Sequence, residues 1–333
     1  NTDIYTLSLH DALPILRNIK NLVVLIIALS LIKNYATAQE NADTIKYWKT
    51  GGFTALQLNQ VSLTNWAKGG ESSLSATGFL NLFATYKKDD LSFENTLDLG
   101  YGIIKTEDNP VRKNEDKIDF SSKFGYKAFG KFFYTALLNF KSQFDYGYKY
   151  PDDTTIVSKF FSPAYLIISL GMDYQASENL SIYFSPATGR FVFVLDDSIA
   201  NKGTYTSEPA IYDEQGKMIE EGKKLKPEFG LYFKSKFSYE LIKNVSLTSM
   251  LDLFCNYTDK VAANRWNFDV NWENTIVMKV NEFISANIFV HLIYDHDIKV
   301  PIYETINGEK VKVGEGPRTQ LKETLGIGFS YKF

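Results

Sequence analysis

His291 is the side chain in this sequence best suited to proton transfer, and residues at even spacing from it, Ser285, Asn287, Asp295 and Asp297, supply a hydroxyl, an amide and carboxylates. On an extended strand, residues two apart share a face, so these five project to one side. That composition allows a membrane-embedded hydrolase site of Ser-His or His-Asp type. It equally allows a histidine held in a polar hydrogen-bond network. No second histidine joins the face, since His296 has the opposite parity, and no nucleophile motif accompanies it. The network is therefore preferred, with no catalytic residue, cofactor or metal assigned.

A larger charged set shares this kind of face. Glu94, Asp98, Asp119, Asp145, Asp173, Asp252, Asp269 and Glu273 mix with Lys117, Lys123, Lys141, Lys234, Lys236, Arg265 and Lys279. Charges enclosed in a narrow interior need partners, so ion pairs between strands are expected, with a selectivity-setting pore lining as the alternative. Neither sign dominates. The acidic pairs in "YPDD" (150–153) and "LDDS" (195–198) lack the spacing of a calcium loop and are expected to be solvated turns. Cys255 shares parity with Leu251 and Leu253, as a packed or lipid-facing thiol does, and as the single cysteine it excludes an intrachain disulfide or a cysteine-based zinc cluster. With 44% hydrophobic residues, 23% charged residues and a net charge of −3, nothing in the composition calls for a nucleic-acid partner.

Strands must position these residues, because period two recurs from residue 51 onward and helical periodicity is scarce. Leu74, Ala76, Gly78, Leu80, Leu82, Ala84 and Tyr86 alternate with Ser73, Ser75, Thr77, Phe79, Asn81, Phe83 and Thr85. The same holds around Phe93–Ile103, Ile118–Ala128, Phe229–Tyr239 and Trp266–Val280. The chain ends "LGIGFSYKF", with Leu325, Ile327, Phe329, Tyr331 and Phe333 on one face. About twelve strands are expected, near 53–59, 73–86, 91–104, 117–128, 131–145, 164–175, 180–195, 227–240, 245–257, 265–279, 284–296 and 319–333.

A soluble sandwich also alternates, but these strands are long, carry aromatics towards both ends, and are joined by alternately short and long connections. The fold class expected is therefore all-β: a transmembrane antiparallel up-and-down β-barrel with short periplasmic turns, long extracellular loops and a closing strand bearing Phe329, Tyr331 and Phe333. Gln215-Gly216 and Asn307-Gly308 sit where hairpin turns would extend two loops above the membrane.

Residues 1–15 fit no pattern and resemble an adapter-like, non-native run. Residues 16–38 have the layout of a signal peptide: Arg17 and Lys20, an apolar run from Leu22 to Ile32, and Ala36-Thr37-Ala38 before Gln39. Residues 39–50 would form a short periplasmic segment and 51–333 the barrel.

"SLTNWAKGGESSLS" (62–75) is too polar for a lipid-facing strand. Asn65, Trp66, Gly69 and Gly70 suit a loop folding over the barrel mouth, or an interfacial tryptophan anchor at the first hairpin. With its Asn-Trp-x-x-Gly-Gly core, the stretch "LNQVSLTNWAKGGESSLSATGFLN" resembles the opening hairpin of a Bacteroidota outer-membrane β-barrel family of unknown function, with similar strand spacing over roughly residues 47–333. The resemblance implies location and fold and carries no catalytic residue. The terminal aromatic likewise resembles the signal read by the outer-membrane insertion machinery, which with membrane lipid would be the chain's partners. A passive channel or uptake protein for small solutes is the expected function. The alternatives are a plugged barrel with partner-binding loops and, less favoured, a hydrolase.

Overall fold

The computed structural model describes residues 47–61, 72–106, 109–150, 152–177, 179–206, 208–306 and 308–333. The adapter-like and signal-peptide segments and the Asn65, Trp66, Gly69, Gly70 stretch lie outside the described residues.

The described residues form eighteen strands in chain order. The first five are β1 (Trp48–Val61), β2 (Ser73–Lys88), β3 (Leu91–Thr106), β4 (Arg112–Phe129) and β5 (Phe132–Ser142). A loop ribbon of β6 (Gly147–Tyr148) and β7 (Ile156–Ser158) precedes β8 (Ala164–Ser177) and β9 (Leu180–Phe193). Helix α1 (Asp197–Ala200) and the ribbon of β10 (Ile211–Tyr212) and β11 (Met218–Glu220) lead into β12 (Leu225–Ile242), β13 (Val245–Asn256), β14 (Phe268–Lys279) and β15 (Ile284–Tyr294). A last ribbon, β16 (Val300–Ile306) and β17 (Glu309–Gly316), precedes β18 (Gln320–Lys332).

Twelve of these strands close into one antiparallel barrel in the order β1-β18-β15-β14-β13-β12-β9-β8-β5-β4-β3-β2. The two predicted loop hairpins are present, turning through Gly216 (φ 79) and Gly308 (φ 86), positive-φ positions that glycine occupies without strain. The β6–β7 ribbon has no sequence forecast; its strands are two and three residues long, too short to show a period. The first strand begins at Trp48, five residues before the forecast 53, because Trp48 to Gly52 still pair with Tyr86 to Leu82.

One end of the barrel is closed by tight turns with left-handed residues at Asp89 (φ 50), Gly130 (φ 54) and Asn244 (φ 69). Close to that rim, outward rings form short chains: Trp48 lies 5.2 Å from Tyr86 and 6.4 Å from Phe93, and Phe132 lies 5.0 Å from Phe129 and 4.7 Å from Tyr174. The long-loop end carries its own, with Phe140 5.3 Å from Phe161 and Phe229 6.3 Å from Tyr257. Between them the outer face is aliphatic and exposed, Leu325 at 66% and Ile327 at 62%. Water would penalise such a surface; a bilayer with an aromatic belt at each interface suits it. The barrel is a transmembrane one.

Closure depends on the final strand. Ala55 pairs with Ser330 and Gln57 with Gly328, and Phe333 exchanges backbone hydrogen bonds with Gly52 at 2.9 and 3.0 Å. Gly328 is required there, since a Cβ would lie 2.0 Å from the Leu56 carbonyl oxygen. Pairing β18 with β1 leaves no free edge in the apolar medium.

Candidate functional site

Since directly opposed residues share a face, the pairing fixes what enters the lumen. Asp119 faces Lys141, Lys234 faces Asp252 and Glu273 faces His291 across adjacent strands, all inward. These side chains build a belt of ion pairs that crosses the interior. Lys117 of β4 reaches Glu273 of β14 at 2.8 Å, and Lys141 of β5 reaches Asp252 of β13 at 3.2 Å, although neither pair of strands is adjacent in the barrel. Asp119 adds contacts to Lys117 (3.9 Å) and Lys141 (3.7 Å), and Asp252 a second lysine, Lys234, at 3.2 Å. Lys123 holds the buried Asp173 at 2.9 Å and Glu94 at 3.4 Å. Charges removed from water are tolerable only when matched in this way.

A second cluster lies towards the long loops. Arg190 binds Glu228 through Nε and Asp269 through Nη1 at 2.7 Å, with its guanidinium 4.1 Å above the Phe254 ring, and Lys226 joins Glu228 (2.9 Å) to Asp297. Lys322 of β18 pairs with Glu115 of β4. Above the belt opens a cavity of about 390 Å³ lined by both signs of charge, by Asn114, Gln143 and Asn271, and by the rings of Phe289 and His291. On the side of β5, β8, β9, β12 and β13 the interior is instead filled by Leu137, Tyr183, Tyr232 and Phe254, with Ile167 packed against them.

Nine of the ten predicted lumen residues occupy this interior: Glu94, Asp98, Asp119, Lys123, Lys234, Lys236, Asp269, Glu273 and His291. Arg265 does not. It lies in an exposed 3-10 turn (262–266) before β14, its Nε donating to the Asp259 carbonyl oxygen at 2.9 Å. The strand starts at Phe268 rather than 265, because the chain folds back to cover Cys255, whose thiol donates to the Arg265 carbonyl oxygen at 2.9 Å. Asp145 is likewise in an exposed loop, accepting from the Tyr101 hydroxyl at 2.9 Å.

His291 Nε2 lies 2.7 Å from Asn271 Oδ1 and 3.9 Å from Glu273, and Ser285 bonds Ser330 and Asn287 instead. Among the described residues no hydroxyl is within hydrogen-bond distance of the imidazole, and its contacts are those of a polar network. In the loops, Asp152 caps Thr154 and Thr155, and Asp196 accepts from Ile199 N at the start of α1. No cluster of three or more metal-ligating side chains occurs among the described residues.

Arg190 escapes a single-period scan of the sequence, whereas Lys226 and Glu228 share the polar parity of Lys234 and Lys236 along β12. In β9, Ser185 faces Tyr232 but Thr188 faces Gly230, so one extra residue enters β9 and inverts its parity before Arg190. The bulge moves the arginine to the inside.

Residues 58–148 match a family model described as Protein of unknown function (DUF3078). No curated protein matches the chain. Among solved structures, the chain is similar to an outer membrane channel from Pseudomonas putida F1 at 12% identity, covering 89% of this chain and all of that one (100%), with a TM-score of 0.37. It is similar to the NanC porin at 8% identity (84% and 98% covered, TM-score 0.34) and to the translocator domain of autotransporter NalP from Neisseria meningitidis at 9% (94% and 98%, TM-score 0.33).

Proposed function

We propose that the protein is a channel or uptake protein for small solutes in a bacterial outer membrane, its lumen narrowed by the transverse ion pairs. The observation that carries this is the polar cavity of about 390 Å³ that ends on the Lys117–Glu273 and Lys141–Asp252 bridges. A barrel built only as a rigid support would gain more from filling that space with apolar side chains than from matching charges within it. Single-channel recording of the refolded mature chain, 39–333, tests it. Wild type should give small discrete steps, and Lys117→Met with Glu273→Gln should enlarge them, since the bridge across the passage is gone. Silence from both, with folding confirmed, would refute it.

The packing of Leu137, Tyr183, Tyr232 and Phe254 across one side favours a second possibility, a closed barrel whose long loops bind a partner. Residues 16–38 as an export signal, Asn65, Trp66, Gly69 and Gly70 at the barrel mouth, the Bacteroidota family suggested by Asn-Trp-x-x-Gly-Gly, and insertion through the terminal Phe333 belong to the same proposal. The signal layout, the motif and the alternating tail support them.

A further inference from the structure

Among the described residues, most charged side chains of the ion-pair belt are held by a partner of opposite sign, and Asp98 and Lys236 are not. Lys236 points inward, facing Met250 and Ser181 on the neighbouring strands, yet it is exposed. It lies two residues nearer the 243–244 turn than Lys234, on the short-turn side of the belt, and among the described residues no ion pair or hydrogen bond engages its ammonium group. Asp98 also points inward, opposite Asp119, and accepts one hydrogen bond, from Asn81 Nδ2 at 2.6 Å, with no cation at ion-pair distance. The two stand on far walls: β3 and β12 are separated by four strands one way round the barrel and six the other. A chain of contacts nonetheless joins the two walls: Asp98 stands opposite Asp119, which lies 3.7 Å from Lys141, Lys141 lies 3.2 Å from Asp252, and Asp252 lies 3.2 Å from Lys234, two residues before Lys236. Among the described residues no ion pair joins Asp98 to Lys236 directly, so the two opposite charges face the lumen at the two ends of that chain.

We propose that Asp98 and Lys236 are a selectivity pair for small zwitterionic solutes, the carboxylate of the solute meeting Lys236 and its ammonium group meeting Asp98. This rests on the channel function above. An anion drawn to Lys236 is repelled by Asp98 in the same stretch of lumen, and a cation suffers the reverse. A dipolar solute satisfies both walls at once and breaks none of the neighbouring pairs. Glu94, Lys123 and Lys234 cannot substitute for the pair, because each already has an opposite charge within 3.4 Å.

The test uses 4-aminobutyrate as the zwitterion and acetate and methylammonium as its two halves. Reversal potentials across a KCl gradient should be near zero for wild type, move towards anion preference in Asp98→Asn and towards cation preference in Lys236→Gln. Calorimetric titration of the detergent-folded barrel should show 4-aminobutyrate binding at least about tenfold tighter than either half-solute, an advantage lost in both variants. Neither substitution removes an ion pair from the wall, so both variants should fold. Unchanged reversal potentials, or equal affinity for the three solutes, would overturn the proposal. Zwitterion binding that both variants abolish, in a barrel that carries no current, would uphold the site while refuting the channel; no current and no binding would refute both.

Discussion

Asp173 shows how this interior tolerates charge. The carboxylate is fully buried and has three partners: Lys123 Nζ at 2.9 Å, Gln175 Nε2 at 3.0 Å and Ser181 Oγ at 2.7 Å. Lys123→Met would leave it without a counter-charge, and breaking one side of a buried pair costs about 3–5 kcal/mol. The urea midpoint of the refolded barrel should therefore fall markedly in Lys123→Met and recover in Lys123→Met/Asp173→Asn, where no buried charge remains. An equal loss in the single and double variants would show that the stem of Lys123, rather than its charge, is what matters. These residues were legible in the sequence because both sit on the polar parity of uninterrupted segments.

At the scale of elements, the segment after β9 is held by packing and by one capped, ion-paired carboxylate. Val194, Ile199 and Ala200 form a small buried cluster with Ile156 and Tyr205, and Asp196 caps α1 while pairing with Lys159 at 2.5 Å. The hydrogen bond from Lys159 holds the Asp196 carboxyl down at about 2. A carboxylate with a depressed folded value stabilises the loop above its ordinary value of about 4, and that stabilisation fades as pH falls towards 2. Hydrogen exchange at Ile199 and Ala200, corrected for intrinsic rates, should stay protected down to about pH 4 and accelerate between about pH 4 and 2. Asp196→Asn should show the faster exchange at neutral pH. Exchange independent of pH and of the substitution would mean that the apolar cluster alone holds the segment. The sequence marks the acidic pair there, but its role depends on Lys159, a residue far earlier in the chain that only the fold brings near.

At the scale of the molecule, the barrel stands or falls on its seam. Gly328→Val places side-chain atoms where a Cβ already meets the Leu56 carbonyl oxygen at 2.0 Å, so β18 cannot approach β1. The wild-type barrel should migrate differently on a denaturing gel before and after boiling, and Gly328→Val should lose that difference; a variant that keeps it would show that the seam tolerates the bulk. Twelve strands, their turns and the two loop hairpins were legible in the sequence because strand periodicity and turn chemistry are local, each written within a few consecutive residues. So was the division into a greasy and a polar face, since the pleat enforces it on every strand longer than a few residues. Three things were decided only by the tertiary structure. The bulge in β9 turned Arg190 inward, the fold-back over Cys255 took Arg265 out of the lumen, and barrel closure joined Lys117 to Glu273 while leaving Asp98 and Lys236 apart. Whether a charge finds a partner depends on which strands stand across the barrel from one another, a distance set by strand number and stagger that no local pattern along the chain contains.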